Sequence, residues 1–126
     1  MKTVFLVVLA SLVVMPATAH AQSAAQGKWL EDKKEYPATM NLRVDEKDEI
    51  SGTVTIGGRD FVVTGQSTAP DAVSLSWSTA FPPEGNEVQY SARGTIKGDV
   101  MTLAVEGLVV STGTRSKEST TLKRVK

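Results

Sequence analysis

The chain has 126 residues, 14 basic and 14 acidic side chains, one histidine and no cysteine. This length is enough for one ordinary domain, and the balanced charge gives no electrostatic reason to expect nucleic acid or an anionic membrane as partner. The single histidine is His20, so zinc sites built on histidine or cysteine, Ser-His-Asp catalysis and Cys-His catalysis are not expected downstream of it.

Residues 1–21 have the pattern of a signal peptide. Lys2 precedes an apolar run over residues 4–15, and a small-x-small sequence, Ala-His-Ala, occupies positions 19–21. The apolar run is shorter than a comfortable membrane span. We therefore expect export to the periplasm or the extracellular medium, with no membrane span after cleavage. An uncleaved N-terminal anchor is the alternative.

The remainder of the chain is predicted to be a flexible tail, residues 22–26, followed by one all-β domain, residues 27–126. From Gly27 onward, apolar and polar residues alternate in short runs separated by turn residues, which is typical of β-strands. Nothing has the pattern of a long amphipathic helix. The predicted strands are residues 27–34, 36–44, 50–56, 59–67, 72–80, 88–96, 100–110 and 120–125.

The fifth predicted strand has the clearest alternation. Val73, Leu75 and Trp77 face one way, and three serines face the other. Residues 81–87 form a longer loop, and residues 111–119 are either a polar loop or part of a long hairpin arm.

Glycines mark several bends. Gly57 and Gly58 indicate a tight hairpin. Gly52 and Gly94 fall on the inward face of their strands, where a bare backbone permits a sharp bend. Gly107 predicts a β-bulge in the seventh strand.

Eight short strands joined by short turns favour antiparallel pairing between sequence neighbours. An open sheet of eight would leave two free edges and one wet apolar face, and closure into a barrel removes both. We therefore predict an eight-stranded up-and-down meander barrel. A two-sheet β-sandwich is the alternative, with residues 81–87 as the connection between sheets.

The first and last predicted strands carry a family resemblance. Gly27 and Trp29 form a Gly-x-Trp at the start of the first strand, and Arg124 lies near the end of the last. This placement resembles the calycin superfamily of lipocalins, avidin-like proteins and small bacterial barrels. The resemblance implies that Trp29 plugs one end of the barrel and that Arg124 packs over it. The chain lacks the disulfide and the C-terminal helix of longer lipocalins, and the dense aromatic lining of a biotin pocket.

A candidate ligand site follows from the inward apolar and aromatic residues. Their rings and thioethers would line an apolar pocket, and the indole and phenol groups would orient a ligand. The alternative is a solid interior, since a small barrel can be filled by its own side chains. The candidate ligand-binding residues are Met40, Phe61, Trp77, Phe81, Tyr90 and Met101.

The acidic residues give no clear site. Asp45, Glu46, Asp48 and Glu49 form a turn without the ligand spacing of a calcium loop, so a solvated turn is expected. Glu31 alternates with Trp29 and could point inward as an acid or base, although strand ends near a barrel mouth are usually wet. We predict no catalytic residue, metal or cofactor.

The sequence leaves two functions open. The first is a non-enzymatic, exported, lipocalin-like barrel that binds a small apolar or amphipathic molecule in its mouth. The second is a periplasmic protein-interaction module, such as a protease inhibitor or an envelope-complex subunit, which would contact its partner through the 81–87 loop or the N-terminal tail.

Overall fold

A computed structural model of the protein describes residues 23–32, 35–81 and 86–126, with Phe81 described by its backbone only. The predicted signal peptide lies outside these residues. None of the described residues forms a helix that could cross a membrane. The strands are β1 (Gly27–Glu31), β2 (Thr39–Val44), β3 (Glu49–Ile56), β4 (Arg59–Ala69), β5 (Ala72–Phe81), β6 (Asn86–Lys97), β7 (Val100–Val109) and β8 (Thr114–Arg124).

The eight strands form one closed antiparallel barrel in sequence order. Each strand pairs with the next, and β1 pairs with β8 through Trp29 opposite Arg124, which completes the closure. The prediction of an up-and-down meander barrel is confirmed. The sandwich alternative is wrong, because β5 and β6 form a direct hairpin, with Phe81 opposite Asn86, rather than lying in separate sheets.

The core fills the barrel with the inward side chains that period-two alternation predicts. On β5, Val73 and Leu75 are buried, whereas Ser76 and Ser78 are exposed. Trp29 is fully buried. The alternation works because an antiparallel sheet with one wet face sends successive side chains alternately to the core and to solvent.

The predicted bulge at Gly107 is wrong. β7 pairs with both neighbours in continuous register through Gly107, which lies opposite Tyr90 and Ser116. The irregularity instead lies in β4, where the register with β5 shifts between Ser67 and Ala69.

Gly52 and Gly94 lie where strands approach one another too closely for a side chain. A Cβ at Gly52 would overlap the carbonyl of Asn41 on β2, and a Cβ at Gly94 would overlap the carbonyl of Thr102 on β7. Both contacts are with backbone, which cannot move aside cheaply. The two glycines therefore permit the bend that a closed barrel of this size requires.

One end of the barrel is closed by Trp29 and the residues that precede it. The Trp29 indole N–H donates a hydrogen bond to the Ala25 carbonyl at 2.8 Å. The Arg124 guanidinium lies over the indole ring, with Cζ 4.3 Å from the ring centroid. The contact between Arg124 and Trp29 that the resemblance implies is therefore present.

Arg124 also ties the N-terminal residues to the barrel. Its two terminal nitrogens donate to the carbonyls of Gln26 and Ala24, each at 2.7 Å. Its Nε donates to Asp99 Oδ1 at 3.1 Å, in the turn between β6 and β7. A planar guanidinium suits this position, because it can stack on a ring while donating in three directions within its own plane.

The glycine of the Gly-x-Trp sequence has a physical role in this arrangement. Gly27 has a φ of 135°, which side chains rarely adopt, and a Cβ there would lie 2.8 Å from an Arg124 terminal nitrogen. Gly27 therefore leaves room for the guanidinium that covers Trp29.

Residues 23–26 are packed onto this end, which differs from the expected flexible tail. Ser23 and Ala25 are buried. The Ala24 N–H donates to the Pro70 carbonyl, and the Gln26 side chain accepts a hydrogen bond from the Val44 N–H. The segment acts as a lid on the closed end because it satisfies turn and strand-end groups there.

Replacing Arg124 tests the closed end. Arg124→Met should lower the free energy of unfolding by about 2–3 kcal/mol, because it removes the stacked cation and leaves the Ala24 and Gln26 carbonyls without donors. Arg124→Lys should recover less than half of this loss, since one ammonium cannot reproduce the planar contacts. Urea unfolding measures both variants. The matched control is Arg43→Met, an exposed arginine; equal stability of the two Met variants would contradict the proposed role of Arg124.

Asp99 forms ion pairs with Arg124 and with Lys126 at the closed end. Lys126 Nζ lies 2.7 Å from Asp99 Oδ2, and Arg124 contacts Oδ1. The hydrogen bond from Lys126, with a smaller contribution from Arg124, holds the pKa of Asp99 below its ordinary value of 3.8. A lowered folded-state pKa means that this contribution to stability is present above the unfolded pKa and is lost as the pH falls through the folded one.

A carboxyl titration followed by NMR should therefore give a pKa for Asp99 below 3.8. Lys126→Ala should raise that pKa toward the ordinary value, because it removes the hydrogen bond that lowers it most. Lys123→Ala is the control, since the Lys123 ammonium faces Asp32 instead. An Asp99 pKa that is unchanged in Lys126→Ala would show that Lys126 does not hold the carboxylate in solution.

Candidate functional site

The opposite end of the barrel holds a cavity. Strands β1, β3, β5 and β7 end at this rim, away from Trp29 and residues 23–26. The cavity has a volume of about 180 Å³. Its floor consists of the buried side chains Met40, Val54, Leu103, Val105 and Leu122, and its rim consists of Glu31, Tyr36, Ala38, Ile56, Trp77, Tyr90 and Thr120.

The structure brings three of the six predicted ligand-binding residues together at this cavity, namely Met40, Trp77 and Tyr90. Met101 is fully buried in the core and does not line the cavity. Phe61 is half-buried against the core and does not line the cavity either. The side chain of Phe81 lies outside the described residues.

Trp77 and Tyr90 form the aromatic wall of the cavity. They are directly opposite on β5 and β6, and their rings stack with centroids 5.4 Å apart and an interplanar angle of 20°. Gly107, on the next strand, leaves room for this pair: a Cβ there would lie 3.1 Å from Tyr90 Cε1. The glycine in β7 thus serves the placement of Tyr90, where the sequence suggests a bulge.

The Trp77 indole nitrogen is buried and finds no hydrogen-bond acceptor among residues 23–32, 35–81 and 86–126. This contrasts with Trp29, whose indole donates to Ala25. A buried donor without an acceptor costs about 1–3 kcal/mol, so such groups are uncommon and call for an explanation. A ligand atom that accepts this hydrogen bond would remove the cost.

Glu31 provides a carboxylate at the rim. Its Oε1 accepts a hydrogen bond from the Ala38 N–H at 3.1 Å, and its Oε2 accepts one from the Thr120 hydroxyl at 2.6 Å. Glu31 is half-buried and points toward the cavity, as its alternation with Trp29 suggests. These bonds link β1 to β8 and to the residue just before β2 where the barrel opens, and they give the carboxylate a positional role.

The acidic turn between β2 and β3 is organised by its own backbone. Asp45 Oδ1 accepts hydrogen bonds from the N–H groups of Lys47 and Glu49, at 2.8 and 2.9 Å. Asp48 takes a positive φ of 64°, which closes the turn. Within the described part of the chain, no group of three acidic or histidine side chains is arranged to hold a metal ion.

The cavity adjoins a groove on the outer surface of β4 to β8, since Trp77 and Tyr90 line both. The rest of that groove is lined mainly by outward side chains such as Ser76, Gln89 and Arg115. It is broad and open to water, so a ligand there would keep much of its hydration. The interior cavity is the better candidate because it combines enclosure, an apolar floor and a few polar groups at the rim.

The chain matches no known protein-family model and no curated protein. The closed eight-stranded barrel is compatible with a calycin-like fold.

Several cavity residues were not predicted as ligand contacts. Ala38 and Ile56 follow the inward alternation of the second and third predicted strands, so their side of the sheet was predictable. The side on which Thr120 lies is not predictable, because the sequence around it is polar on both faces. Its place at the rim depends on the register of β8 against β7 and β1.

The two tryptophans should report separately on the two ends of the barrel. Trp77, half-buried at the rim, should emit at longer wavelength and be quenched more strongly by acrylamide than the fully buried Trp29. Trp29→Phe and Trp77→Phe, each leaving a single tryptophan, allow this comparison by steady-state fluorescence. Equal quenching of the two single-tryptophan proteins would contradict the open and closed assignment of the ends.

Proposed function

We propose that this protein is an exported, non-catalytic, lipocalin-like barrel that binds a small apolar or amphipathic molecule in the cavity at its open end. The observation that carries the proposal is the buried, unpartnered Trp77 indole N–H beside that cavity. Such an arrangement suits a ligand that has an apolar body and one hydrogen-bond acceptor, the body lying on Met40 and Val54 and the acceptor reaching Trp77.

The cavity volume limits the size of the ligand. An apolar cavity of about 150 Å³ is known to hold benzene, so a volume of about 180 Å³ suits one aromatic ring or a short acyl chain. A long-chain lipid would have to extend through the mouth into solvent. We therefore favour a ligand of small aromatic or short aliphatic type.

Other features support the proposal indirectly. The signal-peptide pattern of residues 1–21 favours export. The Gly27, Trp29 and Arg124 arrangement at the closed end supports a calycin-like architecture, in which ligands enter at the open end. The described residues at the mouth include a carboxylate, Glu31, but its two hydrogen bonds to Ala38 and Thr120 favour a structural use over acid–base catalysis.

The alternative function, a protein-interaction module that uses the N-terminal tail, is less well supported. Ser23 and Ala25 are buried, so these residues are occupied by the barrel itself. The central part of the 81–87 loop lies outside the described residues. The cavity thus offers the more specific basis for a function.

Ligand binding can be tested with benzyl alcohol and 1-butanol as probes, followed by the two indole N–H signals in NMR spectra. Both probes should shift the Trp77 signal and leave the Trp29 signal in place, because only Trp77 borders the cavity. Ala38→Leu should weaken binding about tenfold or more by filling the mouth. Ala104→Leu, at an exposed position on β7, is the matched control.

A result in which neither probe shifts Trp77, or in which Ala38→Leu binds as well as the control, would contradict binding in this cavity. Native mass spectrometry of the protein purified from its own host would then show whether any small molecule accompanies it. If neither probe binds and the purified protein carries no bound molecule, a solid interior would be the better description.

A further inference from the structure

β8 pairs with its two neighbours over very different lengths. β8 pairs with β7 from Thr114 to Lys123, but its pairing with β1 covers only Leu122, Lys123 and Arg124. One further hydrogen bond runs from the Asp32 N–H to the Thr121 carbonyl, at 2.7 Å. Among the residues that the structure describes, none pairs with residues 114–120 on this side. We call this stretch the open β8 edge.

The hydrogen bonds at the end of β8 show which backbone groups face this edge. The Val125 N–H donates to Lys28 and the Thr121 carbonyl accepts from Asp32, both on the β1 side, whereas the Arg124 N–H donates to Asp99 on the β7 side. Successive residues of an antiparallel strand point their backbone N–H and C=O groups to opposite sides. The groups of Arg115, Lys117 and Ser119 therefore face the open β8 edge. Seven residues of strand offer about 20 Å of such groups.

The open β8 edge is accessible from both sides of the sheet. Residues 114–119 are all exposed. Arg115 and Lys117 project from the outer face, and Glu118 lies on the inner face opposite Val105. The contact between Lys117 and Glu106, at 3.7 Å, joins two exposed side chains and leaves the Lys117 charge available, since such surface pairs are weak.

A second copy of the chain fits this edge poorly. Of the two-fold antiparallel registers centred on residues 115–118, three place Lys117 opposite Lys117 or Arg115, or Arg115 opposite itself. The fourth places Glu118 opposite Glu118. Like charges directly opposite one another destabilise paired strands. The charges therefore disfavour self-association, which is a common use of lysine on edge strands.

The charges of Arg115, Lys117 and Glu118 favour an added strand that carries the opposite charges at the facing positions. We propose that the open β8 edge binds an extended, acidic segment of a partner protein as an added β-strand. Acidic side chains of the partner would lie opposite Arg115 and Lys117 on the outer face, and an uncharged or basic residue next to the one opposite Lys117 would lie opposite Glu118. Backbone hydrogen bonds to residues 115, 117 and 119 would supply affinity, and the alternating charges would supply selectivity.

Binding can be measured by fluorescence anisotropy with the mature protein and labelled nine-residue peptides. In one peptide glutamate alternates with threonine, and in the other lysine replaces glutamate. The acidic peptide should bind at least about tenfold more tightly than the basic one. The double variant Arg115→Glu, Lys117→Glu should reverse this preference. The control is Lys28→Glu, Arg43→Glu, a matched charge reversal on the exposed outer face of β1 and β2.

Hydrogen exchange separates strand addition from simple charge attraction. The acidic peptide should slow exchange at the amides of Arg115, Lys117 and Ser119, and leave the amides of Ser116 and Glu118, which already bond to β7, unchanged. Binding without this alternating protection would overturn the proposal, as would equal binding of the two peptides or binding that survives the Arg115 and Lys117 reversal. Dimerisation of the free protein through residues 114–120, detected by sedimentation and the same exchange pattern, would also overturn it. If neither peptide binds, the proposal is wrong, and Lys117 and Glu118 serve only to prevent other strands from pairing with this edge.

Discussion

The closed barrel depends on the contact between the Arg124 guanidinium and the Trp29 indole. Arg124 belongs to the last strand, Trp29 to the first, and the two are direct register partners where the sheet closes on itself. The guanidinium also donates to Ala24 and Gln26, so one side chain joins β1, β8 and the N-terminal residues. A protein without disulfides needs a contact of this kind, since the β1–β8 pairing is the shortest in the barrel and buries few residues of its own.

Closure at one end determines what the other end can do. With Trp29, residues 23–26 and Arg124 filling the closed end, the interior space lies at the opposite rim, between Met40 on one side and the stacked Trp77 and Tyr90 on the other. Gly107 allows Tyr90 to lie across β7, which in turn positions Trp77. The apolar floor and the buried indole donor therefore result from packing constraints that begin with the strand order, and they give the cavity its suitability for a small ligand.

The unequal lengths of the strands create the second surface of interest. β1 has 5 residues and β8 has 11, so β8 extends past the pairing that closes the barrel. Its extension pairs with β7, has no second strand partner among the described residues, and carries Arg115 and Lys117 on one face and Glu118 on the other. The cavity and the open β8 edge lie toward the same end of the molecule but use different chemistry, one an enclosed apolar space and the other exposed backbone groups.

The sequence by itself indicated the fold class and the inward face of most strands, because period-two alternation and turn glycines are local signals, and its resemblance to the calycins implied the contact of Trp29 with Arg124. It also correctly placed Met40, Trp77 and Tyr90 on the inside. The tertiary structure alone decided that Gly107 makes room for Tyr90 without a bulge, that Phe61 and Met101 do not line the cavity, and that Ser23 and Ala25 are buried. These features depend on the register between strands and on the bend of the sheet, which are set by contacts between residues far apart in the chain. The polar run at residues 114–119 became a strand for the same reason: its pairing with β7 supplies the hydrogen bonds, and no apolar alternation is needed.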